Sequence, residues 1–417
     1  MGRFVISGGK PLVGTVRIAG AKNATLPIMA ATLLTPNVCE INNVPDLRDV
    51  RMMKEILTLL GAKIKSGPGW CVVDSSRVSS FQIPERLMRE MRSSVFLMGA
   101  LLGRLGAVKL SYPGGCAIGP RPIDLHLKGL SSLGAKINER FGYIIAEAKA
   151  LRGCDIHLDL PSVGATENIM MAAVKSSGTT VIRNAAKEPE IVDLQNFLNK
   201  MGARIKGAGT DTIKIEGVSE LGPASHNVIP DRIEAGTFMV AAAMTSGDVY
   251  LENVIGEHSE PVAAKLREAG AMVEIIGDKV HVWAKERLKA VDIKTMPYPG
   301  YPTDMQPQTM AMLSSAAGTS VVIENIFTNR FKHVDELRRM GAQISIEGRA
   351  AVIRGMKRLS GAAVEASDLR AGAALVLAGL AAEGQTVVDH IYHIDRGYEG
   401  LEHKLAALGA KVQRLQK

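Results

Sequence analysis

The residues best suited to chemistry lie in one short stretch, 113–125, which reads Pro-Gly-Gly-Cys-Ala-Ile-Gly-Pro-Arg-Pro-Ile-Asp-Leu. Its thiol, Cys116, sits among glycines, with Arg121 five residues on. A nearby cation and a helix N-terminus lower a thiol pKa and raise its reactivity. The alternative is a structural cysteine, the commoner fate of a lone thiol, but the glycines and the arginine favour reactivity here. Cys39, Cys71 and Cys154 lie in or beside strand patterns and read as packing residues. With no C-x-x-C pair, a zinc site is not expected. Four cysteines in 417 residues do not make a disulfide framework, which fits a reducing compartment.

A second set of candidates is cationic. Arg48, Arg121 and Arg396 each stand 13 residues before a glycine of a Gly-Ala pair, and Arg330 stands 11 before another. Any one of them could cap or decorate a loop. At matched positions they read as cations able to converge on one anion. Lys22-Asn23, Arg92, Ser162, Asp231, Asp304 and Asp368 precede apolar helical patterns. Helix starts attract anions through free N–H groups and the dipole. Asp304 has two readings: an N-cap, the default for an Asp before a helix, or a general base for a substrate hydroxyl. His126 reads as a packing or polar-contact residue, and His393 stays open between roles.

These residues need a scaffold, and the sequence shows one repeated six times. An amphipathic helical pattern ends at Gly-Ala and runs into a β pattern at Gly61, Gly134, Gly202, Gly270, Gly341 and Gly409, a spacing of 68–73 residues. Glycine there predicts a left-handed C-cap. Six occurrences at near-constant spacing mark duplication. Each unit also has a second helical pattern, apolar on nearly all faces and so expected to be buried, at 25–34, 93–104, 167–174, 236–244, 308–317 and 372–382. A short strand pattern follows each. The sixth unit ends without its last strand, and residues 4–8 align with 351–355 to supply it. The expected lobes are therefore 21–229, holding units one to three, and a discontinuous one of 1–20 with 230–417. A cleft between lobes is a favoured small-molecule site.

Composition narrows the partners. Net charge is +8, which suits acidic small molecules or nucleic acid, but aromatics are only 4% of the chain, too few for base-stacking platforms. The basic residues also do not cluster in the tails. The rival reading, a silent repeat protein binding nucleic acid, would spread Lys and Arg along one face and show steep salt dependence. No signal peptide is recognised, and the longest apolar run, 371–382, is too short to span a bilayer. The expectation is a cytoplasmic enzyme that binds neither nucleic acid nor membrane, with its oligomeric state open.

Taken together, the segments GAKNATLPIMAA (20–31), PGGCAIGPRPIDLHL (113–127), SVGATENIM (162–170), PDRIEAGT (230–237), YPTDMQ (301–306) and HIYHIDRGYEG (390–400) resemble the enolpyruvyl transferases of bacterial peptidoglycan synthesis, which act on UDP-N-acetylglucosamine. The resemblance runs nearly end to end. It implies a two-lobed inside-out α/β barrel of six repeated units, with lobe closure over the sugar nucleotide. It implies phosphoenolpyruvate and UDP-N-acetylglucosamine as substrates, with neither metal nor cofactor. By the same resemblance Cys116 is the general acid, the covalent adduct site and the position alkylated by fosfomycin, and Asp304 is the base near the 3-hydroxyl. Lys22, Arg121 and Arg396 are implied as the clamp on phosphate and carboxylate, with Arg330 and Arg370 as further candidates. Asn23, Arg92, Arg121, Pro122, Ile123, Asp124, Leu125, Ser162, Val163, Gly164, Asp304 and Ile326 are implied at the nucleotide sugar. Leu160 stands near Ser162 where some members carry a Lys that contacts the nucleotide.

Overall fold

The six Gly-Ala junctions are what the backbone demands. Each of the six glycines adopts a positive φ, between 90° and 108°, which ends its helix by a left-handed turn. The computed structural model describes residues 2–112, 118–119 and 122–416. It divides into two compact units, one of Met1–Ala19, Cys116–Pro120 and Pro230–Lys417, the other of Gly20–Gly115 and Arg121–Ile229. Gly20, Ile118 and Gly119 thus group with the other unit from the one expected above. Ile118 shows the physical reason, because its carbonyl accepts the Asn329 N–H at 3.2 Å.

In the unit of Gly20–Gly115 and Arg121–Ile229, three sheets carry the periphery. One runs Ala224–Asn227, Val38–Val44, Gly69–Asp74, Lys63–Gly67, and another Arg204–Lys206, Thr212–Glu216, Thr179–Arg183, Asp155–His157. The third has three strands, Ala107–Ser111, Tyr143–Glu147 and Lys136–Arg140, with an isolated bridge from Gln82 to Lys109 at its edge. Apolar helices Lys22–Ala31, Leu97–Leu105 and Val163–Ala173 form the centre, with Leu97–Leu105 packed against both others. Cys39 and Cys71 are buried in this core, and burial pushes both thiols up, as expected of inert packing residues. Cys154 lies beside a strand, with its thiol likewise pushed up by burial.

The unit containing Pro230–Lys417 repeats the plan. Its central helices are Arg232–Met244, Gln306–Leu313 and Leu369–Ala381, which pack on one another. Around them lie the four-stranded sheets Met272–Ile276, Lys279–Trp283, Asp248–Glu252, Val13–Arg17 and Ile293–Lys294, Thr319–Ile323, Ala350–Arg354, Gln343–Glu347. The last sheet holds Ala363–Glu365, Gln385–Asp389, Arg3–Ser7 and Lys411–Leu415. Arg3–Ser7 is antiparallel to both neighbours, with Phe4 opposite Val388 and Arg414. Phe4 and Ile6 fill the core from that strand. Strands alternate buried and exposed residues while the central helices are buried almost all round, which is the helices-inside, sheets-outside arrangement in each unit. No described helix is long and apolar enough to cross a membrane.

Five of the six central helices begin two to four residues before the apolar pattern does. Hydrophobicity marks only where packing starts, and the first turn is polar because its N–H groups need partners. Lys22, Asn23, Val163, Gly164 and Arg370 therefore lie inside first turns, not ahead of them. The sixth helix starts later, at Leu97, and is preceded by a 3-10 turn, Arg92–Phe96.

Candidate active site

The residues singled out above are shared between the two units. Cys116 and Arg121 lie outside the described residues. Lys22, Asn23, Arg92, Pro122 to Leu125 and Ser162 to Gly164 belong to one unit, and Asp304, Ile326, Arg330, Arg370 and Arg396 to the other.

In the first set, helix starts are gathered by a buried polar pair. The Ser162 hydroxyl caps Val163–Ala173, accepting the Ala165 N–H at 3.4 Å. One turn on, Asn168 accepts the Gly99 N–H at 2.7 Å through its side-chain oxygen. That leaves its amide nitrogen to donate to the Val95 carbonyl at 3.0 Å and to His126 Nδ1 at 2.7 Å. An acceptor at Nδ1 assigns the imidazole proton to Nε2. The polar-contact reading of His126 thus holds. A side chain at Gly164 would place its Cβ 2.9 Å from His126 Cε1 and 3.1 Å from the Phe96 ring, so glycine is required for this approach. Asp124 opens the helix Asp124–Ser132 that carries His126, with Pro122 and Ile123 just ahead of it. Arg92 opens the turn that carries Phe96. Lys22 is the first residue of its helix, with Nζ 3.8 Å from the carboxylate of buried Asp49. Asp49 carries no sequence signal, since an Asp in a first turn is ordinary. Leu160 is exposed. Arg48 faces outward and pairs with Glu90 at 3.3 Å, so the matched spacing did not bring it into a cation set.

The second set centres on Asp304. Asp231, Asp304 and Asp368 align across three repeats, each just before a central helix. Asp231 caps its helix, accepting Ile233 N–H at 2.8 Å and Glu234 N–H at 3.0 Å. Asp368 does the same with Arg370 and Ala371, at 2.9 and 3.0 Å. At Asp304 both donors are gone. The Gln306 N–H turns back to the Thr303 carbonyl, and the next residue is Pro307, which has no N–H. The N-cap reading of Asp304 therefore fails, for a local covalent reason.

Arginines take the freed carboxylate. Arg330 Nη2 lies 2.9 Å from one oxygen, and Arg370 donates to the other through Nη2 at 2.9 Å and Nε at 3.1 Å. Both arginine side chains are 2% exposed, while Asp304 keeps 29%. Burying two guanidiniums costs several kcal/mol each unless a partner offsets it. Burial works against the Arg370 charge, but Tyr398, Asp304 and Asp231 outweigh it and hold the guanidinium above its ordinary value. Tyr398 in turn shares a hydrogen-bonded triangle with Thr237 and Gln308, with all three distances 3.0–3.1 Å. Ile326 is joined to this region through Glu324, which accepts its N–H at 2.8 Å and the Thr303 hydroxyl at 2.9 Å. Arg396 ends the turn Ile391–Arg396, which packs on Leu369–Ala381. Tyr398 and Asn168 escape sequence reasoning because each is distant in sequence from the groups it holds, and Glu324 because the hydroxyls of Thr295 and Thr303 are.

Comparison with known proteins places this arrangement. The family model of EPSP synthase (3-phosphoshikimate 1-carboxyvinyltransferase) matches residues 6–405. The chain is 58% identical to UDP-N-acetylglucosamine 1-carboxyvinyltransferase 1 of Symbiobacterium thermophilum, over 99% of this chain and 95% of the relative. It is 54% identical to the UDP-N-acetylglucosamine 1-carboxyvinyltransferase of Geotalea uraniireducens, over the whole of both chains. Among solved structures, the enolpyruvyl transferase NikO from Streptomyces tendae superposes with a TM-score of 0.90 at 26% identity, covering 100% of this chain and 99% of that one. EPSP synthase from Acinetobacter baumannii shares the fold, with a TM-score of 0.76 at 18% identity and full coverage of both chains. By fold, by family model and by identity along its whole length, the chain belongs to the enolpyruvyl transferases, in the family of the UDP-N-acetylglucosamine 1-carboxyvinyltransferases.

Proposed function

We propose that the chain transfers the enolpyruvyl group of phosphoenolpyruvate to the 3-hydroxyl of UDP-N-acetylglucosamine and releases inorganic phosphate, the first committed step of peptidoglycan synthesis. The observation that carries the reading is Asp304, an aspartate withheld from helix capping and held by two buried arginines where its aligned partners cap their helices. Relatives at 52–58% identity bearing that activity support the choice of substrates.

In this reading the Asp304 carboxylate takes the proton of the 3-hydroxyl as its oxygen attacks C2 of phosphoenolpyruvate, while Cys116 gives a proton to C3. The new C–O bond leaves a tetrahedral centre at C2 that still bears phosphate. Loss of phosphate with removal of one C3 proton restores the double bond. Asp304 keeps 29% of its side chain exposed beside its arginine contacts, which leaves the carboxylate open to a substrate hydroxyl. Lys22, Arg121 and Arg396 offset the charge of phosphate and carboxylate and orient them, a role for preorganised cations. The helix starts at Ser162 to Gly164 and Pro122 to Leu125, with Asn23 and Arg92, receive the nucleotide sugar.

A coupled phosphate-release assay tests the proposal. Phosphate should appear only with both substrates, and none from the pair overturns the reading. Cys116→Asp should keep turnover and lose sensitivity to fosfomycin, because a carboxylic acid can still donate a proton but alkylates poorly. A folded, wholly inactive Cys116→Asp protein would count against the acid role.

A further inference from the structure

We infer that Glu324 is a positioning residue for the acceptor side of the site, fixing Asp304 through Thr303 and Arg330 through Phe327; the inference rests on the role of Asp304 proposed above. The argument comes from comparing repeats. In five of them the residue after an edge strand donates its N–H to the end of the neighbouring strand: Ile18 to Glu252, Leu158 to Arg183, Val228 to Asn42, Thr295 to Ile323 and Ala366 to Asp389, at 2.9–3.1 Å. Four of those donors are apolar, and only Thr295 carries a hydroxyl.

At three of these five junctions the residue after the acceptor is an asparagine, and at the one after Asp389 it is His390, at φ 59°. Asn43, Asn184 and Asn253 stand there, at φ between 53° and 59°, and each side-chain amide donates back across the junction, to the carbonyls of Val228, Leu158 and Ile18 at 2.7–2.8 Å. In the repeat that carries Asp304 the amide is displaced by one position. Asn325 donates to the Thr295 carbonyl at 3.1 Å, and Glu324 occupies the junction. It is not needed to close the junction, and it turns inward.

Its carboxylate is fully buried, and it accepts four hydrogen bonds. One oxygen takes the Thr295 hydroxyl at 2.9 Å, the Ile326 N–H at 2.8 Å and the Phe327 N–H at 3.1 Å. The other takes the Thr303 hydroxyl at 2.9 Å. A buried carboxylate is costly unless satisfied in this way. Thr303 opens the turn that carries Asp304. The Phe327 ring lies 5.6 Å from the Arg330 guanidinium, whose Nη2 is on Asp304. Glu324 thus ties the segments of Thr295, Thr303 and Ile326–Phe327 to one point. Thr295 and Glu324 depart from the pattern together in the repeat whose aligned aspartate does not cap, whereas His390 departs from it in a repeat where Asp368 caps, and brings no buried carboxylate.

Glu324→Gln preserves shape but offers one acceptor oxygen in place of two. A displacement of Asp304 by a fraction of an ångström should lower kcat/KM for UDP-N-acetylglucosamine by about 30-fold, with KM for phosphoenolpyruvate within about twofold. Thr303→Val, which removes only the hydroxyl, should cost about fivefold, and the double variant should be no worse than Glu324→Gln alone, the signature of a shared path. A Glu324→Gln enzyme with unchanged kcat/KM overturns the inference. So do losses that fall equally on both substrates and add in the double variant, which would mark a merely structural role. Should Glu324→Gln fail to fold, Thr303→Val decides: unchanged kcat/KM refutes positioning. A wild-type enzyme that releases no phosphate would instead refute the proposed reaction. Calorimetric binding of UDP-N-acetylglucosamine to wild type and Thr303→Val then tests Glu324 alone, with equal affinities counting against it.

Discussion

Two kinds of helix start sit side by side in the unit of Pro230–Lys417. At Arg232–Met244 and Leu369–Ala381 an aspartate spends its carboxylate on backbone N–H groups. At Gln306–Leu313 the aligned aspartate meets neither of the two capping donors, because one is turned away and the other is a proline. The carboxylate is then open to Arg330 and Arg370. A duplicated scaffold supplies the same polar group in equivalent places, and one imino acid helps decide whether that group caps a helix or pairs with buried arginines.

The largest effect should come from Asp304→Ala. It leaves two buried guanidiniums without this carboxylate, which should cost about 3–5 kcal/mol in denaturant unfolding, and should lower turnover by at least about a thousandfold as the proposed base is lost. Asp304→Ala with near-native stability would break the contrast, since the aspartate would then not be holding the arginines. Asp368→Ala, by contrast, should cost about 1 kcal/mol, the ordinary value of a lost N-cap. A cost as large as that of Asp304→Ala would show that the two aspartates are not different in kind.

A third test uses pH. His333 is fully buried beside Asp368 and Arg330, and its pKa is lowered from 6.5 to about 4, by burial first and by Arg330 next, against the pull of Asp368. Between those values the unfolded chain binds a proton at this ring that the folded chain does not, so stability is complete above about pH 6.5 and falls as the pH drops towards 4. His333→Asn should flatten that part of the stability curve, read from denaturation midpoints at several pH values. An unchanged slope would remove His333 from the account. The smallest expected effect is that of Pro307→Ala. Restoring an N–H lets the backbone compete for Asp304, and turnover should fall by about two- to fivefold, the scale of a partly populated capped state. Turnover equal to wild type would show that the arginines hold Asp304 whatever the helix offers.

Much of the fold was legible because its signals are local. Gly61, Gly134, Gly202, Gly270, Gly341 and Gly409 must each leave a helix by a left-handed turn, and each does. Apolar runs marked the six central helices, although not their first turns, where the pattern is polar and several of the candidate site residues gather. Asp304 was legible as a candidate, but its two readings could be separated only when Pro307 was set against the donors at Asp231 and Asp368. Asp49, Asn168 and Glu324 were not legible. Nothing in the neighbouring sequence distinguishes the Asp49 that faces Lys22 from any first-turn acid, nor the Glu324 that gathers four donors from any strand-end glutamate.

The sequence by itself determined the repeat, the helix ends and the residue types available at each helix start, since these follow from backbone conformation and hydrophobic period. Only the tertiary structure decided which of them act together. Arg370 reaches Asp304 across 66 residues of chain and Arg330 across 26. The cost of burying their charges is met by a partner that no local rule names, because desolvation depends on the packing of three helices and not on the order of residues.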